Sequence, residues 1–101
     1  MALTTPSASR TKSNKVIAFN TPSSPISVLL LKANLNRKGA TFWNECTANL
    51  LLDFALNAAV ATFTVKLTPG SYYEIPFDYT GPVAGIWDGE DKGTVLIREF
   101  V

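Results

Sequence analysis

Short apolar segments separated by turn-forming residues recur along most of this chain, and their spacing constrains the fold more than any other feature. From residue 26 onward, seven segments of strand length follow one another, at intervals of about 8 to 12 residues. Gly, Pro, Asn and Asp fill the intervals, and these residues favour turns. The pattern predicts an all-β fold, either an antiparallel β-sandwich or a jelly-roll-like barrel, with an extended N-terminal arm.

Local patterns inside these segments predict how some of them fold. Residues 62–67 alternate most clearly, which places Phe63, Val65 and Leu67 on the inner face of a strand. Thr-Pro-Gly at 68–70 has the residue order of a type II turn. The acidic, glycine-bounded segment 88–93 predicts a hairpin loop between the last two strands.

Residues 48–63 allow two interpretations. Leu50, Leu52 and Phe54 share one face at a period of two, which favours strand, loop and strand. The same stretch places apolar residues along one helical stripe in good helix formers, so a short helix around 54–60 stays open as the alternative. We favour the strand interpretation because every flanking segment has a β pattern.

The first 25 residues differ in composition from the rest of the chain. Fourteen of them are Ser, Thr, Pro or Asn, and three prolines oppose helix formation. We therefore divide the chain into an extended arm, residues 1–25, and a β-sandwich domain, residues 26–101. The only apolar stretch of the arm is 16–19, a short strand candidate. The expected partner-binding residues of the arm are the apolar anchor Val16, Ile17 and Phe19 and the basic residues Arg10, Lys12 and Lys15.

Charge is distributed unevenly. Residues 1–40 contain six basic residues and no acid, a sum of +6, whereas residues 41–101 contain three basic and eight acidic residues, a sum of −5. Such asymmetry favours contacts between copies of the chain or with an acidic neighbour. The basic residues are too dilute, and too little interleaved with aromatic residues, for a nucleic-acid footprint. No segment is apolar enough to serve as a signal peptide or to span a membrane, so we expect synthesis in a cytoplasm.

The residue types needed for chemistry are scarce. The chain has no histidine and one cysteine, Cys46. Histidine is the commonest general base and metal ligand, and one cysteine cannot form an intrachain disulfide or a zinc cluster. Asp88, Glu90 and Asp91 match the alternating ligands of a calcium loop only in part. We expect no enzyme activity, no cofactor and no metal site.

Aromatic side chains provide the alternative function. Most of the eleven aromatic residues should pack in the core or at sheet rims. A set of Trp43, Tyr72, Tyr73 or Tyr79 would instead form a stacking platform for sugars. A small carbohydrate- or ligand-binding module is therefore the second hypothesis.

Two stretches carry a resemblance to known proteins. Residues 37–52 read Arg-Lys-Gly-Ala-Thr-Phe-Trp-Asn-Glu-Cys-Thr-Ala-Asn-Leu-Leu-Leu, and residues 63–76 read Phe-Thr-Val-Lys-Leu-Thr-Pro-Gly-Ser-Tyr-Tyr-Glu-Ile-Pro. With Tyr-Thr-Gly at 79–81, Gly-Ile-Trp at 85–87 and Glu99, the chain from residue 37 to its end resembles small β-sandwich head decoration or cement proteins of tailed phages, including phages of cyanobacteria. Cys46 stands where that pattern has Ser or Asp.

The resemblance implies a structural function. It implies a β-sandwich on the outer surface of the phage head, where it binds the major capsid protein and copies of itself, with a trimer favoured, and bridges capsid subunits. The location would be the virion. In this hypothesis the basic arm is the tether, because an extended segment can add a strand to an exposed sheet edge.

Overall fold

Eight strands and no helix make up the part of the chain that the structure describes. The structure is a computed structural model, and it describes residues 13–89 and 92–101. The strands are β1 (Val16–Pro22), β2 (Val28–Leu31), β3 (Gly39–Cys46), β4 (Leu50–Asp53), β5 (Val65–Leu67), β6 (Tyr72–Glu74), β7 (Val83–Trp87) and β8 (Gly93–Phe100). Within these described ranges, no helix is long and apolar enough to cross a membrane.

The strands form two four-stranded antiparallel sheets. Sheet A has the order β1-β8-β3-β6, and sheet B has the order β2-β7-β4-β5. Every connection except that between β4 and β5 passes from one sheet to the other. Two packed sheets with this order are a jelly roll. The predicted all-β sandwich is confirmed, and the order selects the jelly-roll connectivity that the sequence left open.

Alternation along the strands builds the core between the sheets. In β3, Ala40, Phe42, Asn44 and Cys46 are buried, while the residues between them face outward. Strand β8 alternates in the same way around buried Val95 and Ile97. The inward residues of β4, β5 and β7 face this layer from sheet B; they include Leu50, Leu52, Leu67 and Trp87. The predicted inner positions of Leu50, Leu52 and Leu67 are therefore confirmed, whereas Phe63 lies outside β5 and is exposed.

Two buried polar clusters connect the sheets. The Arg37 guanidinium lies among Glu99, Lys32 and the 79–81 turn; Nε donates to Glu99 Oε2 at 2.7 Å, and Nη1 donates to the carbonyl oxygen of Gly81 at 2.8 Å. Toward the other end, the Asn44 amide nitrogen donates to two backbone carbonyls, and its oxygen accepts from Trp87 Nε1 at 3.2 Å. Both side chains therefore satisfy buried groups from different strands, which fixes how the sheets pack.

The turn predictions were correct at one position and wrong at another. Gly70 has a φ of 81°, in the region that the predicted type II turn requires. The expected hairpin after β7 is wrong, because β7 and β8 lie in different sheets. Gly93, which opens β8, has a φ of 140°, and a Cβ there would collide with the backbone of Glu45. This position therefore requires glycine where the chain enters sheet A. Glu90 and Asp91 lie outside the described residues.

Strand β1 moves the predicted boundary between arm and sandwich. The expected strand at 16–19 is present, but it extends over Val16–Pro22 and pairs with β8 through seven consecutive residues. Residues 16–22 therefore belong to sheet A and are not a free ribbon, which corrects the division at residue 25. The physical reason is that the backbone N–H and C=O groups of β8 on the side away from β3 need partners, and residues 16–22 supply them. Residues 1–12 lie outside the described part of the chain.

A long connection covers the outer face of sheet B. Residues 54–64, here called the cover segment, link β4 to β5 without forming a helix, so the helical alternative is not adopted. The Ala58 amide donates to Ser27 Oγ at 2.8 Å, which places the cover segment beside the far edge strand β2. Because the core fills the inner side of the sheet, the cover segment lies over its outer side. Leu51 and Ala84 point away from the core and are nevertheless almost fully buried.

Candidate binding surface

The outer face of sheet A is formed by the residues that alternate with its core residues. Strand pairing arranges them in rows across the sheet. The central row contains Asn20 of β1, Leu96 of β8, Trp43 of β3 and Tyr72 of β6. Side chains on rigid strands have fixed spacing, which suits recognition of a partner. We call this surface the A face.

An exposed aromatic pair dominates the A face. Trp43 is 44% exposed and Tyr72 is 51% exposed. Their ring centroids lie 5.6 Å apart with an interplanar angle of 63°, an edge-to-face contact. Exposed tryptophan and tyrosine are enriched at the energetic centres of protein interfaces, because they offer a large apolar area and a polar group together.

Glu74 lies beside the Tyr72 hydroxyl on the A face and interacts with it. Desolvation raises the pKa of Tyr72, and the carboxylate of Glu74 raises it further through its charge and a hydrogen bond. Glu74 lies two residues along β6, on the same side of the strand, so both groups face outward. The hydroxyl donates its proton to Glu74, and its oxygen is left to accept a hydrogen bond. The A face combines apolar area with a polar group that can contact a partner.

The outer side of sheet B also exposes apolar residues, but they belong to the cover segment. Leu56, Val60 and Phe63 are exposed on it, and Leu56 is 66% exposed. The cover segment is held by Asp53, whose Oδ1 accepts from the Phe54 amide at 3.0 Å and from Thr64 Oγ1 at 2.8 Å. Loops position side chains less precisely than strands do. The A face therefore holds its exposed side chains in more precisely defined positions than the cover segment does.

The predicted partner-binding residues that the structure describes lie together on β1 or next to it. Val16 faces outward at the start of the A face, whereas Ile17 and Phe19 face the inner side. Lys15 precedes the strand and is exposed; its carbonyl accepts the Val101 amide at 2.9 Å. Arg10 and Lys12 lie outside the described residues, so their expected contribution stays a prediction.

A groove opens between the edge strands β1 and β2. Its volume is about 460 Å³, and Phe19, Thr21, Leu29 and Glu99 are among its lining residues. Phe19 faces the inner side but is still 38% exposed, because it lies on the edge strand of sheet A and lines the groove. Glu99 is engaged by Arg37, so the carboxylate that lines the groove already has a partner, and the leucines of β2 form an apolar wall. Such a groove offers apolar contact along one side of the sandwich.

The structure separates the four aromatic residues that the sugar-binding hypothesis grouped together. Trp43 and Tyr72 lie side by side on the A face, but Tyr73 faces inward and packs near Phe42. Tyr79 donates its hydroxyl proton to the Pro82 carbonyl at 2.7 Å and contacts Phe54. Desolvation by burial raises the pKa of both Tyr73 and Tyr79. Only Trp43 and Tyr72 are therefore placed to contact a ligand.

Of the residues considered for reactive or metal-binding roles, Cys46 forms no disulfide and Asp88 is hydrogen-bonded to Asn49. Cys46 is a buried free thiol at the end of β3. Asp88 accepts from the Asn49 amide group at 2.9 Å and from the Asn49 backbone at 3.1 Å, and these hydrogen bonds are the main cause that lowers the pKa of Asp88. Across residues 13–89 and 92–101, no three acidic or cysteine side chains are grouped closely enough to hold a metal ion.

Two features of the candidate surface had no decisive signal in the sequence. Trp43 was identified as a candidate, but its pairing with Tyr72 depends on the register between β3 and β6. The open edge of β1 depends on which strand lies outermost in sheet A.

Comparison of the chain with known protein families, with curated proteins and with solved structures finds no match to any of them.

Proposed function

We propose that this protein is a structural binding protein that decorates the outer surface of a phage head and bridges capsid subunits. The structural observation that supports a binding function is the A face, a sheet surface that no described residue covers and that has an exposed aromatic pair. The capsid as the partner rests on the resemblance of residues 37–101 to head decoration proteins. A jelly roll occurs in capsid proteins and in lectins, so the fold fits this function without selecting it.

In this proposal the A face contacts the major capsid protein. Trp43 and Tyr72 would form the apolar centre of the contact, and the Tyr72 hydroxyl oxygen would accept a hydrogen bond from a backbone N–H of the partner. Arg98 and Glu74 lie in the neighbouring row of the A face, where charged residues surround the apolar centre. This arrangement matches the usual anatomy of an interface, with an aromatic centre and a polar rim. Copies on adjacent capsomers would multiply weak single contacts.

The basic N-terminal segment is a second point of attachment in the proposal. With β1 assigned to sheet A, the part left as a tether is residues 1–12, which include Arg10 and Lys12. A deletion that tests the tether must therefore end before Ser13, since its hydroxyl donates to the Val101 carbonyl at 2.9 Å. Removal of residues 1–25 would also remove β1 and expose the core.

Co-sedimentation tests the proposal directly. The gene neighbourhood is examined first, because a major capsid gene next to the gene for this chain would identify the capsid protein to use in the assay. The full chain and its Trp43→Arg variant are then mixed with heads assembled from that major capsid protein. Loss of an aromatic hot spot should weaken attachment at least about tenfold, while Leu56→Ser on the cover segment should leave it unchanged.

Three outcomes would count against the proposal. Absence of co-sedimentation by the full chain would refute the capsid as partner. Loss of attachment in Leu56→Ser but not in Trp43→Arg would assign the contact to the cover segment. A chain lacking residues 1–12 that attaches as well as the full chain would remove the tether from the proposal and leave the A face in it.

The exposed aromatic pair also favours a second candidate function, a glycan-binding module. Trp43 and Tyr72 are exposed neighbours, as a sugar-stacking site requires, although an angle of 63° does not make them one flat platform. Titration with glycans would report on Trp43, because Trp87 is buried and hydrogen-bonded to Asn44. A fluorescence change in the full chain that is lost in Trp43→Phe would support this function. No change with any glycan class would refute it.

A further inference from the structure

The four edge strands of the two sheets differ in how they are protected from pairing. Strands β5 and β6 have three residues each. Strand β2 has four residues, and its register shifts between Leu29 and Leu31. Short strands and bulges are the usual devices that keep an edge from pairing with another chain. Three of the four edges therefore have such a device.

The fourth edge, β1, has none of these devices. It pairs with β8 over seven consecutive residues without a register shift. From Val16 to Pro22 it contains no charged residue, although charges are what commonly protect an edge. Proline occurs only at its last position. Among the residues that the structure describes, nothing pairs with this edge, so it is open to another strand.

The direction of the free hydrogen-bonding groups follows from two bonds at the ends of β1. The Lys15 carbonyl accepts from the Val101 amide, and the Ser23 amide donates to the Gly93 carbonyl, so odd-numbered residues point their backbone groups toward β8. In an antiparallel ladder these groups alternate in direction. Val16, Ala18 and Asn20 therefore point theirs away from the sheet, where they meet no other described residue.

We infer that two copies of this chain join edge to edge through β1, antiparallel and with Ala18 opposite Ala18 of the partner copy. This register pairs Val16 with Asn20 at both ends and satisfies every outward N–H and C=O of these three residues. The adjacent register, with Phe19 on the two-fold axis, would place Val16 opposite Pro22, which has no N–H. The result would be one continuous sheet with the order β6-β3-β8-β1-β1-β8-β3-β6.

Side chains on both faces fit this join. On the inner side, Ile17 would lie opposite Phe19 of the partner copy, and aromatic and β-branched residues are favourable cross-strand neighbours. That contact would cover the Phe19 ring, which is 38% exposed in a single copy. The nearest charge on the outer side, Arg98, lies one strand back and contacts the Asn20 side chain at 3.4 Å. Two Arg98 side chains would then be separated by about three strand spacings, roughly 14 Å, where salt screens repulsion.

The strand that pairs with β1 is β1 of a second copy. A two-fold join satisfies the open edges of both copies at once, and neither strand contains a charged residue. The join goes beyond the proposed function and does not rest on it. It predicts even-numbered assemblies, whereas the resemblance implies a trimer. The contact is smaller than the roughly 1,600 Å² of a stable interface, so association should depend on concentration. Attachment to a capsid would raise the local concentration and favour it.

A cysteine at the two-fold axis tests the register in the purified full chain without capsids. Ala18→Cys should form an intermolecular disulfide under mild oxidation, because directly opposed residues have Cα atoms about 5.5 Å apart, within the range of a disulfide. Lys66→Cys, on the protected edge β5, is the matched control. Cross-linking of Ala18→Cys at least about tenfold faster than the control is expected. Equal rates in the two variants would overturn the inference.

A proline substitution, which removes one backbone N–H, tests the same join without cross-linking. Asn20→Pro removes an N–H that points away from β8, so it leaves the β1–β8 ladder intact while it removes a bond of the join. Asn20→Ala loses the same side chain but keeps the N–H. Sedimentation at concentrations up to about 1 mM should show dimers of Asn20→Ala, and an association at least about tenfold weaker for Asn20→Pro. Equal association of both variants, a trimer, or a monomer throughout would contradict the inference. Failure of capsid attachment alone would leave it standing.

Discussion

The outer faces of the two sheets differ in what lies over them. Sheet B is covered by the cover segment of its own chain, which buries Leu51 and Ala84 on the side away from the core. Over sheet A, the described residues place no such segment, and Trp43 and Tyr72 remain exposed. Both edges of sheet B are short or bulged, whereas sheet A keeps one uninterrupted edge at β1.

We infer from this difference that the two sheets have separate tasks. Sheet B supplies a second, smaller apolar layer that belongs to the stability of the fold. Sheet A has apolar side chains and backbone groups that stay open in a single copy, which is what an interaction surface requires. Leu56 and Val60 of the cover segment are exposed as well, so variants on the two sheets must be compared directly.

The largest effect is expected where the two sheets are joined. Arg37→Met would leave Glu99 buried without its partner, and removal of one member of a buried ion pair costs about 3–5 kcal/mol. The double variant Arg37→Met with Glu99→Leu removes both charges and should recover part of that loss. The free energy of unfolding in urea measures both. If the double variant were no more stable than the single one, the ion pair would not be what makes Arg37 necessary.

The next largest effect separates the outer faces. Leu51→Ala should lower the free energy of unfolding by about 3 kcal/mol, because it leaves a cavity under the cover segment. Trp43→Arg on the A face should cost about 1 kcal/mol or less, since the long aliphatic part of arginine can cover the same surface. Chemical unfolding of both variants is the measurement. Equal losses would mean that the A face is a structural surface and not an open one.

A smaller effect concerns the attachment of the cover segment. Ser27→Ala removes the acceptor of the Ala58 amide, so we expect a loss of about 1 kcal/mol and faster hydrogen exchange at Ala58. Thr62→Ala, on the same segment, is the control and should change neither. Unchanged exchange at Ala58 in Ser27→Ala would show that this hydrogen bond does not hold the cover segment on sheet B.

The smallest effect is a pH dependence at the connections between the sheets. Hydrogen bonds from Asn49 lower the pKa of Asp88 in the folded state below its usual value. The stabilisation is therefore complete above the unfolded pKa of about 4 and is lost as the pH falls through the lower folded value. Because Asp88 is largely exposed, the contribution is small. Melting temperature between about pH 2 and 6 should fall less on acidification in Asp88→Asn than in the native chain; parallel curves would contradict this.

The sequence was sufficient for the features that depend on local alternation. The period-two pattern predicted the strand β4, and it placed Leu50, Leu52 and Leu67 in the core. The residue order Thr-Pro-Gly likewise predicted the turn at Gly70, where a positive φ is required. These predictions succeeded because side-chain direction and turn conformation depend on residues that are close in the chain.

The features that depend on distant pairing were beyond the sequence. Segment 88–93 has the residues of a hairpin, but it joins two sheets because β7 pairs with β2 and β4. Phe63 alternates with its neighbours, yet it belongs to the cover segment. Residues 16–22 have the composition of an arm and become an edge strand only through β8. In each case the deciding contact lies far away in the chain, and local composition does not encode it.

The assignment of binding to sheet A is tested most directly by residue-resolved hydrogen exchange of the full chain at two concentrations. At about 10 μM, the amides of Ile17, Phe19 and Thr21 should be protected by the ladder to β8, while those of Val16, Ala18 and Asn20 exchange freely. At about 1 mM, the account predicts that the second set gains protection by at least about tenfold while the amides of β2 and β5 do not change. Protection that appears on the edges of sheet B, or a β1 edge unaffected by concentration, would contradict it.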